Sequence, residues 1–384
     1  MRYYIIAGEA SGDLHGSNLI RELFKADQTA LIRCWGGDMM QEAGGELVKH
    51  YRDLAFMGFI EVISNLPTIM RNLRFCKTDI EAFNPDVLVL IDYPGFNLRI
   101  ARWAKSKGIR TVYYISPQVW AWKESRVKGI REYVDKMIVI LPFEKSFYSR
   151  WKYEVEYIGH PLVEVVEQAT EELSRIPPAI DSPLNEKNIV ALLPGSRKQE
   201  IAVKLPIMLE ASKYFPDHRF IIAKSNSIDD AFYQPFMEKY GNVRSIRKKT
   251  YALLLQSKAA LVTSGTATLE TALFEVPQVV CYKGSAISYQ IARRLIKVKF
   301  ISLVNLIMNR EVVKELIQQE MTVENIRREL EKILHDKQHI KTMLDDYREL
   351  KRILKTEGRP SERAAKIIVQ EAARHSSHSM AAAV

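Results

Sequence analysis

Short runs of consecutive apolar residues recur along the first half of the chain, at Tyr3–Ala7, Ala30–Trp35, Asp86–Ile91, Thr111–Ser116, Lys136–Leu141 and Glu156–Gly159. Apolar residues on successive rather than alternate positions predict strands buried on both faces, as in a parallel sheet. Stretches with helical spacing lie between them, at Asn18–Phe24, Leu98–Lys107 and the basic Arg126–Arg131. The same texture restarts at Asn188–Leu193 and continues through Arg219–Ala223, Ala259–Thr263 and Gln278–Cys281, with a helix predicted from Glu311. Strands alternating with helices are the βαβ signature, so the fold class is α/β, with two Rossmann-like parallel-sheet domains expected to face each other across a cleft. The divisions read as 1–165, a polar proline-bearing linker over 166–187, and a second domain over 188–355. Val323–Ala372 reads as helical and strongly charged, broken at Gly358-Arg359-Pro360, with Ser361 capping a final helix in the segment 356–373, and then a Ser/His/Ala-rich tail over 374–384 expected to be disordered.

The segments just after the strands carry the chemistry. Val87–Ile91 ends in Asp92, and Pro94-Gly95 turns the chain at once toward Asn97. Ligands of open α/β sheets bind outside the carboxyl ends of strands, so Asp92 has the position of a base, although such an Asp can equally cap a helix or order a turn. Tyr3–Ala7 runs into Gly8-Glu9-Ala10-Ser11-Gly12-Asp13, which is neither GxGxxG nor a P-loop but lets a ligand reach backbone N–H groups at a helix start. Glu9 there is an unusual strand-end carboxylate, or else a cap. Asn188–Leu193 ends in Pro194-Gly195-Ser196-Arg197, a combination of N–H groups, hydroxyl and guanidinium suited to phosphate. Ala259–Thr263 ends in Ser264-Gly265-Thr266, and Glu270 falls about one turn into the next helix, where a carboxylate can take both hydroxyls of a ribose or simply complement the helix dipole. Pro117-Gln118-Val119-Trp120-Ala121-Trp122 and Gly159-His160-Pro161 close two further strands. A phosphate-binding second half and a lone strand-end carboxylate in the first suggest group transfer from an activated nucleotide.

Composition narrows the class. The 47% hydrophobic and 27% charged residues are those of a globular chain. No run approaches the roughly 18 apolar residues of a membrane span, and Met1 leads straight into the first strand without a secretory signal. Three scattered cysteines, Cys34, Cys76 and Cys281, fit a reducing compartment and make no zinc site. No Asp-x-Asp triplet occurs, and His335 and His339 lack the glutamate and third ligand of a zinc helix, so no metal and no cofactor are expected. The net charge of +10 calls for an anionic partner: nucleic acid, an anionic membrane face or a phosphorylated substrate. Its clusters at Arg244–Lys249, Arg293–Lys299 and Arg348–Lys355 can also be solvated faces.

Taken together and in order, Gly8–Asp13, Ile91–Asn97, Pro117–Trp122, Gly159–Pro161, Leu193–Arg197 and Thr263–Ala267 resemble the lipid-A-disaccharide synthase family over roughly residues 3–320. The resemblance implies an inverting GT-B glycosyltransferase of lipid A biosynthesis. Its donor would be UDP-2,3-diacylglucosamine and its acceptor the 6-hydroxyl of 2,3-diacylglucosamine 1-phosphate, giving a β-1,6-linked disaccharide and UDP. It further implies Asp92 as general base, with Glu9, Arg197 and Asn305 important for activity. Ser196, Arg197, Ser264, Gly265, Thr266 and Glu270 would hold the donor, and Ser11, Gly12, Asn97, Gln118, Trp120 and His160 the acceptor. Val304 and Met308-Asn309 depart from the family pattern. The acylated substrates imply a peripheral enzyme on the cytoplasmic face of a Gram-negative inner membrane, docked on anionic lipid, with a homodimer as a further partner state and the C-terminal helices returning to the first domain. Met57–Phe75 and Arg293–Phe300 are the expected membrane-facing segments, the former also readable as core.

Two other functions share parts of this pattern. A GT-B epimerase or hydrolase of a UDP-sugar has the same two-domain plan but needs no acylated acceptor. A nucleic-acid binder would use the basic charge, yet the chain carries no recognised binding motif and no aromatic platform interleaved with Lys/Arg, so no nucleic acid is expected. The absence of a G-x-S-x-G elbow disfavours a serine hydrolase.

Overall fold

A computed structural model describes residues 1–54, 66–175, 182–284 and 298–381. The chain divides into two units, Met1–Pro161 with Thr356–Val384, and Leu162–Lys355.

In the first unit the described residues form a parallel sheet of β1 (Arg2–Ala7), β2 (Leu31–Gly36), β3 (Glu46–His50), β4 (Val87–Ile91), β5 (Thr111–Tyr114), β6 (Lys136–Val139) and β7 (Glu156–Tyr157). Their order is β3-β2-β1-β4-β5-β6-β7. The order therefore reverses between β1 and β4, which pair in register with Ala7 opposite Ile91. Tyr3 to Ala7 and Val87 to Leu90 have no exposed surface, which is why both strands read as unbroken apolar runs. Helix Ala10–Ala26 follows β1, and helix Pro94–Ser106 follows β4.

The C-terminal helix Pro360–Ala381 belongs to this unit and packs on helix Ala10–Ala26, β4 and β5. It buries Ala364, Ala365, Ile368 and Ala372. Arg359 pairs with Glu22 at 3.3 Å, and Glu371 accepts from Arg110. The helix continues past Arg374 to Ala381, where the sequence suggests a disordered tail.

The second unit holds β8 (Ile189–Leu193), β9 (Arg219–Lys224), β10 (Val243–Arg247), β11 (Ser257–Thr263), β12 (Gln278–Tyr282) and β13 (Lys314–Ile317), all parallel, in the order β10-β9-β8-β11-β12-β13. Here the reversal falls between β8 and β11. Helices Val323–His335 and Lys337–Leu354 bury Ile326, Leu330, Ile333, Met343, Tyr347 and Leu350 against the core and turn most of their charges outward.

Three strands lie outside the sequence expectation, and one replaces a helix. β3, β10 and β13 are sheet edges, and the helix expected from Glu311 is β13. The linker expected over 166–187 begins as helix: Pro161–Ser174 packs Leu162, Val163 and Val166 into the second unit's core.

Candidate active site

In the first unit, Glu9 follows β1 and Asp92 follows β4, the two strands flanking the reversal. This is where a doubly wound sheet leaves a crevice for ligands. Asp92 and Tyr93 both adopt left-handed backbone, with φ of 42° and 49°. Pro94 then starts the helix with its φ already suited to it. Consecutive left-handed non-glycine residues cost roughly 1–3 kcal/mol each and persist only when their surroundings hold them. The holding groups are explicit. Asn97 is fully buried, and its Nδ2 donates to the carbonyls of Ile91 and Asp92 at 3.1 and 2.9 Å. The Tyr113 hydroxyl also donates to the Asp92 carbonyl. The Asp92 N–H donates toward Tyr114 and Ile115 at 3.3 and 3.2 Å, and Ile115 is itself left-handed at φ 65°. Gly8 is required as well: a Cβ there would stand 2.2 Å from the Tyr93 ring.

The Asp92 side chain is thereby half-buried over the sheet end. Burial, and secondly the neighbouring Glu9 carboxylate, push its carboxyl up to about 7, against a small opposing pull from the Tyr93 N–H. A carboxylate that takes a proton near neutrality is a matched general base. Ser11 is half-buried and Gly12 buried on the turn beside Glu9. Asp13 of the same turn is a structural cap, accepting from the N–H groups of Gly37, Met39 and Met40 at 2.8 to 3.2 Å.

In the second unit the reversal strands β8 and β11 end in the two anion-type turns. Gly195 has φ 115° and Gly265 φ 142°, conformations that favour glycine. Arg197 caps helix Lys198–Ser212; its guanidinium is half-exposed and donates to Glu200 at 3.0 Å. Ser196, Gly265 and Thr266 are exposed, and nothing lies within 4 Å of where a Gly265 Cβ would sit. Ser264 donates to the Ile301 carbonyl at 3.0 Å. Glu270 is half-buried, accepts from Tyr251 at 3.4 Å, and is pushed by burial up to about 7.

Three polar residues expected to touch substrate are engaged in holding the fold. Asn305 is fully buried, and both ends of its amide are filled. Nδ2 donates to Val313 O and Glu315 Oε1 at 2.8 and 2.9 Å, while Oδ1 accepts from the N–H groups of Val312 and Val313 at 2.7 and 3.0 Å. With two donors and two acceptor sites used, no capacity remains for a ligand. Asn305 therefore braces the start of β13 in this structure. Asn97 is the clamp beneath Asp92, and Trp120 is 8% exposed with Nε1 donating to buried Glu144 at 3.2 Å. Gln118 is exposed, whereas His160 is 2% exposed and burial holds its imidazole down at about 3, with His15 adding to the effect. Val304 is buried core, and Asn309 ends its helix in left-handed backbone at φ 52°.

Sequence reasoning passed over Tyr93, His15 and Lys204. His15 is buried one helical turn beyond Ser11, and burial pushes its imidazole down to about 4. Lys204 carries a readable signal: a lysine within the apolar stripe of Ile201, Leu205 and Met208.

Among the described residues, several members of the basic clusters are paired. Arg247 donates to Ser225 O, Ile228 O and Asp230; Arg348 pairs with Glu275 and Asp345; Lys351 and Lys355 pair with Glu167. Arg293, Arg294 and Lys297 lie outside the described residues, as does 57–65 of the expected membrane-facing segment. Among the described residues, no group of three or more His, Cys, Asp or Glu is placed to hold a metal, and no helix is long and apolar enough to cross a membrane.

A family model described as lipid-A-disaccharide synthetase matches residues 3–371. The lipid-A-disaccharide synthase of Geobacter metallireducens is 40% identical over 343 residues, covering 88% of this chain and 89% of the relative. That of Syntrophus aciditrophicus is 41% identical over 368 residues, covering 94% and 95%. Among solved structures, the UDP-GlcNAc 2-epimerase of Neisseria meningitidis bound to UDP-GlcNAc superposes with a TM-score of 0.65 at 14% identity, covering 96% of this chain and 99% of that one. The glycotransferase of kitacinnamycin superposes at 0.64, also at 14% identity, over 96% and 98%. At such identities the structural likeness speaks for the fold alone, the GT-B arrangement of two parallel-sheet domains.

Proposed function

The chain belongs to the lipid-A-disaccharide synthetase family and is a glycosyltransferase of lipid A biosynthesis; from that premise we propose how its own residues carry the transfer. The substrates are a UDP-sugar donor and a sugar-phosphate acceptor. In the proposal these are UDP-2,3-diacylglucosamine and 2,3-diacylglucosamine 1-phosphate. Asp92 takes the proton from the acceptor 6-hydroxyl as that oxygen attacks the donor's anomeric carbon. The bond from that carbon to the phosphate oxygen breaks, UDP leaves with the electron pair, and the configuration inverts to a β-1,6 linkage. The transition state has oxocarbenium character, so positive charge and N–H groups near the departing diphosphate stabilise it. Arg197, Ser196 and the N–H groups after Gly195 and Gly265 fill that role, and Glu270 takes the ribose.

The observation that carries the reading is Asp92: a strained, half-buried carboxylate at the β1/β4 reversal whose carboxyl sits at about 7. Burial, and secondly repulsion from Glu9, keep it there. Acylated substrates bring the enzyme to an anionic bilayer surface on the cytoplasmic side, which the net charge of +10 favours. A homodimer completes the proposed set of partners.

The test is incubation with both acylated substrates and mass analysis of the products. Formation of the disaccharide 1-phosphate with stoichiometric UDP is expected. Turnover of a non-acylated UDP-sugar alone, without any acceptor, would instead support the epimerase or hydrolase reading.

A further inference from the structure

Lys204 occupies a position made for an apolar side chain. It lies on the buried stripe of helix Lys198–Ser212, and its side chain is 2% exposed. Its ammonium donates a close hydrogen bond to Thr263 Oγ1 and stands 3.6 Å from Glu200 Oε2. Glu200 also accepts from Arg197 at 3.0 Å. The backbone of Gly195 passes directly over this cluster: a Cβ there would lie 2.8 Å from Glu200 Oε2 and 3.5 Å from Lys204 Nζ. One buried cation thus sits beneath the loop after β8 and is bonded to the last residue of β11, where the second loop begins.

Burying an ammonium is costly, and a methionine would fill the same space without that cost. Burial pushes the Lys204 pKa down, and Arg197 adds to this; Glu200 and the Cys281 thiol act against it. A charge kept in such a place between two anion-type loops has an evident use when a dianion binds above it. Arg197, Glu200 and Lys204 together carry one net positive charge.

We propose that Lys204 is a positioning residue for the diphosphate of the nucleotide donor. It ties the Pro194–Arg197 loop to the Ser264–Thr266 turn and gives the pair its net positive charge. This rests on the donor reading above, in which the second unit holds UDP.

Titration calorimetry with UDP and with uridine, on the full chain and on Lys204→Met and Thr263→Val, tests it. For Lys204→Met, UDP affinity should fall about tenfold, in the range of one charge-assisted hydrogen bond. Uridine, which has no phosphate, should bind as before. The donor KM should rise with kcat little changed, and the melting temperature should hold or increase because a buried ion has been replaced by a hydrophobe. Thr263→Val should mimic the loss, and the double variant should be no worse than Lys204→Met alone. UDP affinity unchanged in Lys204→Met would overturn the proposal, as would equal losses for UDP and uridine. A wild-type chain that does not bind UDP would remove the donor reading itself.

Discussion

Replacing Asp92 by Asn separates its chemistry from its cost to the fold. Asn keeps the shape of the side chain but can neither accept the acceptor proton nor carry charge. Loss of a general base costs roughly 10²–10⁴-fold in turnover, while UDP affinity, set by the proposed donor site in the second unit, should not change. Stability should move the other way. The Asp92 carboxyl rises from 3.8 to about 7 on folding. The folded chain therefore binds this proton more tightly than the unfolded chain, and the Asp92 contribution to stability falls as pH rises from about 4 through 7. At about 1.4 kcal/mol per pH unit a shift of that size is worth up to about 4 kcal/mol above pH 7. Urea melts at pH 5 and pH 8.5 supply the assay. The variant's advantage over the wild type should already show at pH 5, where the unfolded carboxyl is ionised, and should grow toward pH 8.5 as the folded wild type gives up the Asp92 proton through about 7. A variant less stable than wild type at pH 8.5, or one with turnover within tenfold of normal, would refute the assignment.

Glu9→Gln removes the carboxylate that repels Asp92, so the acid limb of the pH–rate profile should move to lower pH; an unmoved limb would mean that Glu9 does not act through Asp92. Asn305→Ala leaves the N–H groups of Val312 and Val313 and the Glu315 carboxylate short of partners, at roughly 1–3 kcal/mol for each buried group. Its melting temperature should drop sharply, with turnover per folded molecule largely kept; full stability with turnover lost would restore Asn305 to the catalytic set.

The central strands were legible because they are buried on both faces. Val87–Ile91 and Ile189–Leu193 contain no polar residue to confuse the pattern. The edge strands were not. Val243–Arg247 places arginines among its few apolar positions, and Lys314–Ile317 and Glu46–His50 likewise mix charges with few apolar residues. Charge is what protects an edge from pairing with another chain, and it also removes the signature of a strand. Within the candidate site, the strand-end placement of Glu9, Asp92, Arg197 and Ser264–Thr266 followed from local pattern. That β1 neighbours β4 and β8 neighbours β11 did not, because the strand order depends on long-range pairing. Residue type alone did not reveal the buried bonds of Asn97, Asn305 and Trp120: an amide or indole looks the same in sequence whether it faces a ligand or a buried partner. Lys204 was overlooked for the opposite reason, since a lysine in an apolar stripe reads as noise until Thr263 and Glu200 are placed beside it.

The pH dependence of kcat/KM between pH 5 and pH 9, measured for wild type and Asp92→Asn, addresses the central claim that Asp92 is the base, since kcat/KM reports groups of the free enzyme. The wild-type value should fall tenfold per pH unit below about 7, where Asp92 becomes protonated, and that limb should be absent from the residual activity of the variant. A wild-type profile flat from pH 5 to pH 8, or an acid limb that survives in Asp92→Asn, would contradict it.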